Sequence, residues 1–441
     1  MRINSIRVAL FLLCSAMVNR DKVISRSFVL AEKQAAVMLK EVEAGVEKSR
    51  SENKTPVPVG PRTLKGGELV LVPSRDWTSG FFAGELWYLY EYTGKDEWRK
   101  KAEEFTARME PEQWNRKTHD MGFKMYCTYG NGYRLTKDAS YKAILIQSAK
   151  TLSTRFRSAT GVIRSWDHSQ DRWSYPVIID NMINLELLFF ATKITGDSSF
   201  YKIAVSHAKT TQKNHFRSDY SSYHVLEYDS VTGKVLKKNT HQGYSHESAW
   251  ARGQAWALYG YTMCYRETKD RSFLRQAEQI EGFIFNHPNL PEDLIPYWDF
   301  NAPGIPNEPR DASAAAVMAS ALYELSGYST NGKTYRAKAD KIVETLAAHY
   351  TSPAGANKGF ILLHSTGSKP ANSEVDVPLS YADYYFLEAL LRKQHLDENK
   401  HTPFGTSSFL KDRYGERESF PRGSRKPAIA SRKLWHTVER H

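Results

Sequence analysis

The sequence predicts an all-α protein, an (α/α)6 toroid of six inner and six outer helices with short β segments at its mouth. Two observations carry this. A helical hairpin recurs along the chain, and its two helices differ in kind: the first is apolar on nearly every face, the second on one stripe only. A helix apolar all round has to be buried and an amphipathic one borders solvent, so their alternation builds an inner ring inside an outer one.

The punctuation of the repeat has a mechanism. Its turns are Thr93-Gly94-Lys95, Thr136-Lys137-Asp138, Thr195-Gly196-Asp197, Thr268-Lys269-Asp270 and Ser326-Gly327. Glycine ends a helix by entering the left-handed region, and aspartate caps the next N-terminus. Gly80 to Tyr92 and Ile178 to Ile194 read as inner helices, Lys95 to Met109 and Ser198 to Lys213 as outer ones. An N-terminal amphipathic helix near Lys22 to Lys48 and a last inner helix near Ser380 to Lys393 complete six of each.

Composition narrows the class. Of 441 residues, 41% are hydrophobic and 25% charged, which excludes a wholly disordered, collagen-like or membrane-embedded chain. Trp 10, Tyr 25 and Phe 20 are generous and fit a groove that stacks flat ligands. The formal net charge of +12 suits an anionic partner. No nucleic-acid motif accompanies it. HExxH, the phosphate loop and GxGxxG are missing, so no metal or nucleotide cofactor is indicated. Three cysteines make no disulfide framework, and Cys127 and Cys264 read as free buried thiols.

The ends differ from the middle. Arg2 and Arg7 precede an uncharged run from Val8 to Val18, after which the chain turns polar. Residues 1–20 therefore read as a signal peptide, too short to span a bilayer, and imply a periplasmic or secreted protein, with lipid anchoring at Cys14 as the alternative. No transmembrane segment is expected. Residues 21–396 read as the (α/α)6 domain. Residues 397–441 form a basic tail rich in Ser, Pro and Arg and poor in branched apolar residues, expected to be disordered or loosely docked.

Inner helices that each return through an outer one are parallel, so all six N-termini open at one mouth. The residues there are Asp76-Trp77, His119-Asp120, Asp180-Asn181, Ser248 to Arg252, Arg310 to Ser313 and Tyr381 to Asp383. Helix capping explains several of the Asp and Ser residues. It does not explain His119, Trp250, Arg252 or Trp256.

At these positions the sequence resembles the unsaturated glucuronyl hydrolases, glycoside hydrolase family 88. The strings are SRDWTSGFFAGELWYLYEYTG from Ser74, HDMGF from His119, IIDNMINLELLFFATKITGD from Ile178, THQGYSHESAWARGQAWALYG from Thr240 and YADYYFLEALLR from Tyr381. The resemblance runs from about Lys22 to Lys393. The unsaturated rhamnogalacturonyl hydrolases, which act on pectin fragments, share the toroid and weaker forms of these strings. A catalytically inactive glycan-binding toroid is the remaining alternative.

The resemblance implies an enzyme without cofactor that removes the nonreducing-end 4,5-unsaturated uronic acid from lyase-generated, glycosaminoglycan-type oligosaccharides. Protonation at C4 and addition of water at C5 give a hemiketal that opens and releases the next sugar. By motif, Asp180 is the proton donor and then the water-activating base, and Asp120 its partner carboxylate. Ile178, Ile179 and Met182 around Asp180 would hold its proton by desolvation. Gln242, Arg252 and Trp256 fall in substrate-binding strings, with Arg252 suited to the uronate region and Trp256 to stacking on a sugar face. Trp77 and Trp166 are further stacking candidates, and His119 and His224 hydrogen-bonding ones. His224 opens an alternating run, Tyr223 to Asp229, that reads as a strand over the mouth. Ser365, Ser368 and Lys369 resemble a loop that holds the second sugar and would suit a sulfate on it.

Overall fold

The computed structural model describes residues 2–398, with side chains from Lys22 onward. Helix α1 spans Arg2–Ser51, followed by a hairpin of β1 (Gly60–Lys65) and β2 (Glu68–Val72). Next come α2 (Phe81–Thr93), α3 (Asp96–Ala107), a π-helical stretch Gly122–Gly130 continued by α4 (Asn131–Thr136), and α5 (Ala139–Ser153). Strands β3 (Phe156–Arg157), β4 (Val162–Ile163) and β5 (Pro176–Ile178) precede α6 (Asn181–Asn184), α7 (Glu186–Thr195) and α8 (Ser198–Asn214). After β6 (Val225–Tyr228) and β7 (Val235–Asn239) follow α9 (Ala251–Thr268), α10 (Arg271–Asn286), α11 (Ala312–Leu325) and α12 (Gly332–His349). Strands β8 (Ser365–Ser368) and β9 (Ser373–Val377) lead into α13 (Ser380–Glu398).

The inner ring consists of α2, the π-helix with α4, α6 with α7, α9, α11 and α13, each touching the next, and α13 closes on α2. The outer ring is α1, α3, α5, α8, α10 and α12. This is the expected (α/α)6 toroid. All fourteen residues of α11 and the first fourteen of α13 are buried, whereas α3 and α8 bury one stripe.

The turns work as their residues dictate. Gly94, Lys137, Gly196 and Lys269 all take left-handed φ, between 58° and 75°. The preceding threonine hydroxyl donates to the carbonyl four residues back and accepts the N–H two residues ahead, as Thr195 does with Ala191 and Asp197. Asp138, Asp197 and Asp270 then cap α5, α8 and α10 through the N–H of Ser140, Ser199 and Ser272.

Two inner helices depart from the expected plain form. The second is π-helical over Gly122–Gly130, and the third starts only at Asn181 and is interrupted at Leu185. The two pass so closely that a Cβ on Gly122 would lie 2.6 Å from the Cα of Asn184, whose side-chain oxygen accepts the Phe123 N–H at 3.0 Å. A wider turn accommodates that approach beside the catalytic candidates. The hairpin at 60–72 was not anticipated, although Gly66-Gly67 between Leu64-Lys65 and Glu68-Leu69 is a two-residue turn sequence.

Three antiparallel sheets position the mouth. Strands β5, β6 and β7 form one, and β8 with β9 and β1 with β2 the others. Cys127 and Cys264 are buried free thiols. No helix among the described residues is long and apolar enough to cross a membrane. The side chains of the expected leader, residues 1–20, and the tail beyond Glu398 lie outside the described residues.

Candidate active site

Sheet pairing sets the central geometry. Ile178 on β5 pairs with Val225 on β6, and the Ile179 N–H donates to the His224 carbonyl at 3.1 Å. Asp180 and His224 are thereby brought together at the start of α6, with His224 Nε2 3.7 Å from Asp180 Oδ2. Of the run 223–229, Val225–Tyr228 forms the expected strand, and His224 directly precedes it. A second short pairing, Thr118 with Trp166, places His119 and Asp120 beside the loop that carries Trp166.

Asp180 caps nothing; it is buried, and its Oδ2 has no hydrogen-bond partner. Burial raises its pKa to about 7. Arg252, its own backbone N–H and the Trp256 indole oppose that shift, and the Asp120 charge reinforces it. Asp120 is held by the Thr118 hydroxyl, which donates to Oδ2 at 2.6 Å, and its Oδ1 lies 3.2 Å from His119 Nε2. Burial holds the pKa of His119 below the ordinary histidine value.

His224 has a defined tautomer. Its Nδ1 accepts the N–H groups of His241 and Gln242, each at 3.2 Å, so the proton of the neutral ring sits on Nε2, on the Asp180 side. Burial, with positive neighbours, pushes its pKa well down. The ring lies 4.4 Å from that of Trp250, whose indole also carries the Arg252 guanidinium at 4.6 Å.

Two expected roles change. Arg252 is buried and engaged: it donates to Asp311 at 2.7 Å, to the Thr366 carbonyl at 2.5 Å and to the Gly367 carbonyl at 2.6 Å. It anchors the β8–β9 hairpin and places positive charge near Asp180, and its buried Nε has no partner among the described residues. Trp256 is 0% exposed and packs on Phe123 and Tyr385, so it has no open face for a sugar to stack on. Its indole N–H is buried without a hydrogen-bond partner among the described residues. Both residues were too deep in the ring for sequence alone to separate support from contact.

The other candidates converge on the mouth. Gln242 donates to the Gly367 carbonyl at 3.0 Å, sharing it with Arg252. Ser365 is buried with its hydroxyl unpartnered, while Ser368 and Lys369 are half-buried, and Lys369 makes no ion pair among the described residues. Trp77 is half-buried, its ring 4.8 Å from that of Tyr381. Trp166 stacks on His168, with 7° between the ring planes, and meets Trp173 edge-on. The sequence reading placed Tyr381 and Asp311 at the mouth without giving them a role, and it did not single out Thr118, which its place two residues before Asp120 could have suggested.

Buried polar atoms without a protein partner gather here: His119 Nδ1, Trp166 Nε1, Asp180 Oδ2, His224 Nε2, Ser365 Oγ and Tyr381 Oη. Native interiors rarely leave such groups unpaired, and a hydroxyl-rich ligand would satisfy them. Among the described residues no group of three or more His, Cys, Asp or Glu could hold a metal ion.

A toroid whose mouth joins a buried carboxyl of raised pKa, a second carboxylate, aromatic rings and unpaired polar atoms is the form of a carbohydrate-active hydrolase. The profile of Glycosyl Hydrolase Family 88 matches residues 64–389, and the chain belongs to that family. It is 55% identical over 327 residues, 74% of this chain and 82% of its relative, to the unsaturated glucuronyl hydrolase of Formosa agariphila. Among solved structures it resembles an unsaturated glucuronyl hydrolase specific for heparin, with TM-score 0.80, 46% identity, and 86% of this chain and 98% of the other covered. A variant unsaturated glucuronyl hydrolase from Streptococcus agalactiae complexed with dGlcA-GalNAc6S aligns with TM-score 0.66 at 28% identity over 83% and 92% of the two chains.

Proposed function

We propose that this hydrolase removes the nonreducing-end 4,5-unsaturated uronic acid from lyase-generated, glycosaminoglycan-type oligosaccharides, with Asp180 as both acid and base. The observation that carries the reading is the buried Asp180 carboxyl, whose pKa near 7 keeps a proton available at neutral pH beside Asp120. Protonating carbon requires an acid still in its protonated form.

The steps balance. Asp180 gives its proton to C4 as the C4=C5 pair of electrons forms the new C–H bond, leaving positive charge at C5 shared with the ring oxygen. The Asp180 carboxylate then takes a proton from water as the water oxygen bonds to C5, which restores the acid. The hemiketal opens by breaking C5–O5, its hydroxyl proton passing to O5 as the C5 ketone forms. The hemiacetal so exposed at C1 then collapses to an aldehyde as the C1–O bond breaks and its proton passes to the oxygen of the leaving sugar, giving a keto acid and a shortened oligosaccharide. Asp120 supports the proton on Asp180, and the Arg252 charge prevents its being held too tightly. His224 Nε2–H, His119, Tyr381 and Ser365 supply donors and acceptors for sugar hydroxyls.

Sulfated substrates fit the same reading. The half-buried Lys369, next to Ser368, has no carboxylate to satisfy it and can meet a sulfate on the second sugar. The uncharged leader run before Asn19 supports export to the periplasm or beyond, which mass measurement of the mature N-terminus would check. Activity is tested by mixing the protein with unsaturated disaccharides and following the ultraviolet absorbance of the conjugated double bond. Binding without any loss of absorbance would instead make it a glycan-binding toroid.

A further inference from the structure

Between β7 and α9, four successive backbone N–H groups all turn inward. Those of His241 and Gln242 meet His224 Nδ1, each at 3.2 Å. The next, on Gly243, donates to the Thr240 hydroxyl at 2.7 Å, and the fourth, on Tyr244, donates to Asp299 Oδ2 at 2.8 Å. Successive N–H groups that point one way form a concave nest, and each needs its own acceptor. Here the His224 ring stands at one end and Asp299 at the other.

Asp299 is 0% exposed, and neutral donors occupy both its oxygens. Oδ2 accepts the Ser248 hydroxyl at 2.7 Å besides the Tyr244 N–H, and Oδ1 accepts the Asn301 N–H at 2.9 Å. The Ser248 hydroxyl in turn accepts the Ser245 N–H at 3.0 Å, so one carboxylate ties down both ends of the 244–248 turn. Its own backbone is fixed. Asp299 is bridged to Trp250, with the Ala251 N–H on the Trp298 carbonyl at 3.1 Å and the Phe300 N–H on the Ala249 carbonyl at 3.0 Å. The loop rests directly on the carboxylate: a Cβ on Gly243 would lie 2.7 Å from Thr240 Oγ1 and 3.1 Å from Asp299 Oδ2. Ordinary local roles account for little of this. The residue that caps α9 is Trp250, and the turn to Asn301 occupies Oδ1 alone.

A neutral imidazole carries one proton, and the bond made by one ring nitrogen decides whether the other holds it. With the His241 and Gln242 N–H groups on Nδ1, the His224 proton is confined to Nε2, 3.7 Å from Asp180 Oδ2. Without them either nitrogen is free to hold it. We propose that Asp299 is a positioning residue for the reaction: by fastening the 240–248 loop it keeps two N–H groups on His224 Nδ1, and thereby a donor on the Asp180 side. Its effect on turnover rests on the functional reading above, whereas its effect on the ring does not.

The test uses Asp299→Asn in the full chain. The amide keeps the carboxylate's shape but sets an NH2 against the N–H of either Tyr244 or Asn301, so the loop loses its anchor with no loss of volume. Nuclear magnetic resonance of protein labelled with heavy-nitrogen histidine reads which ring nitrogen is protonated, and His224 is identified as the signal missing from His224→Gln. At neutral pH the wild type is expected to show Nε2 protonated and Nδ1 bare. Asp299→Asn should show a fraction with Nδ1 protonated, and kcat should fall about ten- to hundredfold while KM changes less. Thr240→Val, which removes only the acceptor of the Gly243 N–H, should move both readouts the same way by a smaller amount, and it decides the matter if Asp299→Asn does not fold. An unchanged His224 signal in the folded variant overturns the proposal, and so does a changed signal with wild-type kcat in an active enzyme. If the wild type proves inactive, the functional reading falls alone, and the ring signal still decides whether Asp299 sets the His224 tautomer.

Discussion

His224 Nε2 stands 3.7 Å from Asp180 Oδ2, and the two backbone N–H groups on its Nδ1 fix it as a neutral donor facing that carboxyl. Its pKa is held well below the ordinary histidine value, so His224 keeps this state through the neutral range. At 3.7 Å the pair is a poised contact rather than a hydrogen bond, and such contacts tighten when substrate fills the site. His224→Gln, which keeps a donor but loses the anchoring by His241 and Gln242, is expected to lower kcat about ten- to hundredfold while leaving the melting temperature within a few degrees. Wild-type kcat in the folded variant would remove His224 from the reaction.

The pH dependence follows from Asp180. Only its protonated form can deliver a proton to C4, and burial places its pKa at about 7. In the free enzyme kcat/KM should therefore fall above pH 7, reaching roughly one-hundredth of its plateau two pH units higher. A profile flat to pH 9 would assign the proton to another group.

Asp180→Asn separates chemistry from stability. The amide fills the same space and cannot donate or retrieve a proton, so kcat should drop about 10²- to 10⁴-fold. The folded pKa of Asp180 lies above its unfolded value of 3.8, so the stability linked to its proton is fully present below about pH 3.8 and is lost as pH rises through about 7. The asparagine variant escapes that loss. Its melting temperature should gain on the wild type from pH 4 to pH 7 and hold the gain above, which thermal scans at pH 4, 6 and 8 would show.

Much of this arrangement was legible beforehand, for definite reasons. The Thr-Gly-Asp and Thr-Lys-Asp turns use local backbone chemistry, so the five inner–outer turns could be placed from single residues. Asp180 and Asp120 were legible because long strings surround them, and the desolvation by Ile179 and Met182 is a property of adjacent sequence. The roles of Arg252 and Trp256 were not, because they depend on what other helices bring: Asp311 on α11 and the Thr366 and Gly367 carbonyls on β8 engage the two terminal nitrogens of the guanidinium and leave its Nε without a partner among the described residues. The π-helical turn at Gly122 was likewise hidden, since it answers to Asn184, sixty residues away.

The β8–β9 hairpin offers a test of positioning. Gly367 has its carbonyl gripped by Gln242 and Arg252, and a Cβ added there would lie 2.7 Å from that of Glu374. Glu374 cannot easily give way, because Arg62 holds both its carboxylate oxygens, at 2.5 and 3.0 Å. Gly367→Ala should displace the hairpin and cost about 1–3 kcal/mol. KM for disaccharides should rise more than kcat falls, as steady-state kinetics would resolve, because Asp180 is not on this element.

Away from the mouth, Arg266 on α9 ties the ring together. It bonds Glu186 on α7, Glu267 at 2.9 Å and Glu324 on α11 at 2.9 Å, all buried. A buried cation serving three carboxylates is worth most when removed, because the acids remain desolvated without it. Burial already raises the pKa of Glu186, and Arg266 is what opposes that rise. Arg266→Met should therefore destabilise the fold by about 3–5 kcal/mol at pH 8. Glu267 keeps Lys193 and Glu324 keeps Arg392, so Glu186 is the acid left stranded. Its folded pKa would lie further above its unfolded one, and the stability it forfeits at high pH returns as it takes up a proton on acidification. The deficit in melting temperature should thus be smaller at pH 5 than at pH 8. Arg266 lies in the last turn of α9, at the opposite end of that helix from Trp250 and Arg252, so kcat/KM measured well below the melting temperature should stay within about twofold of wild type. An equal deficit at both pH values would mean that lost packing, not stranded charge, is what the arginine prevents.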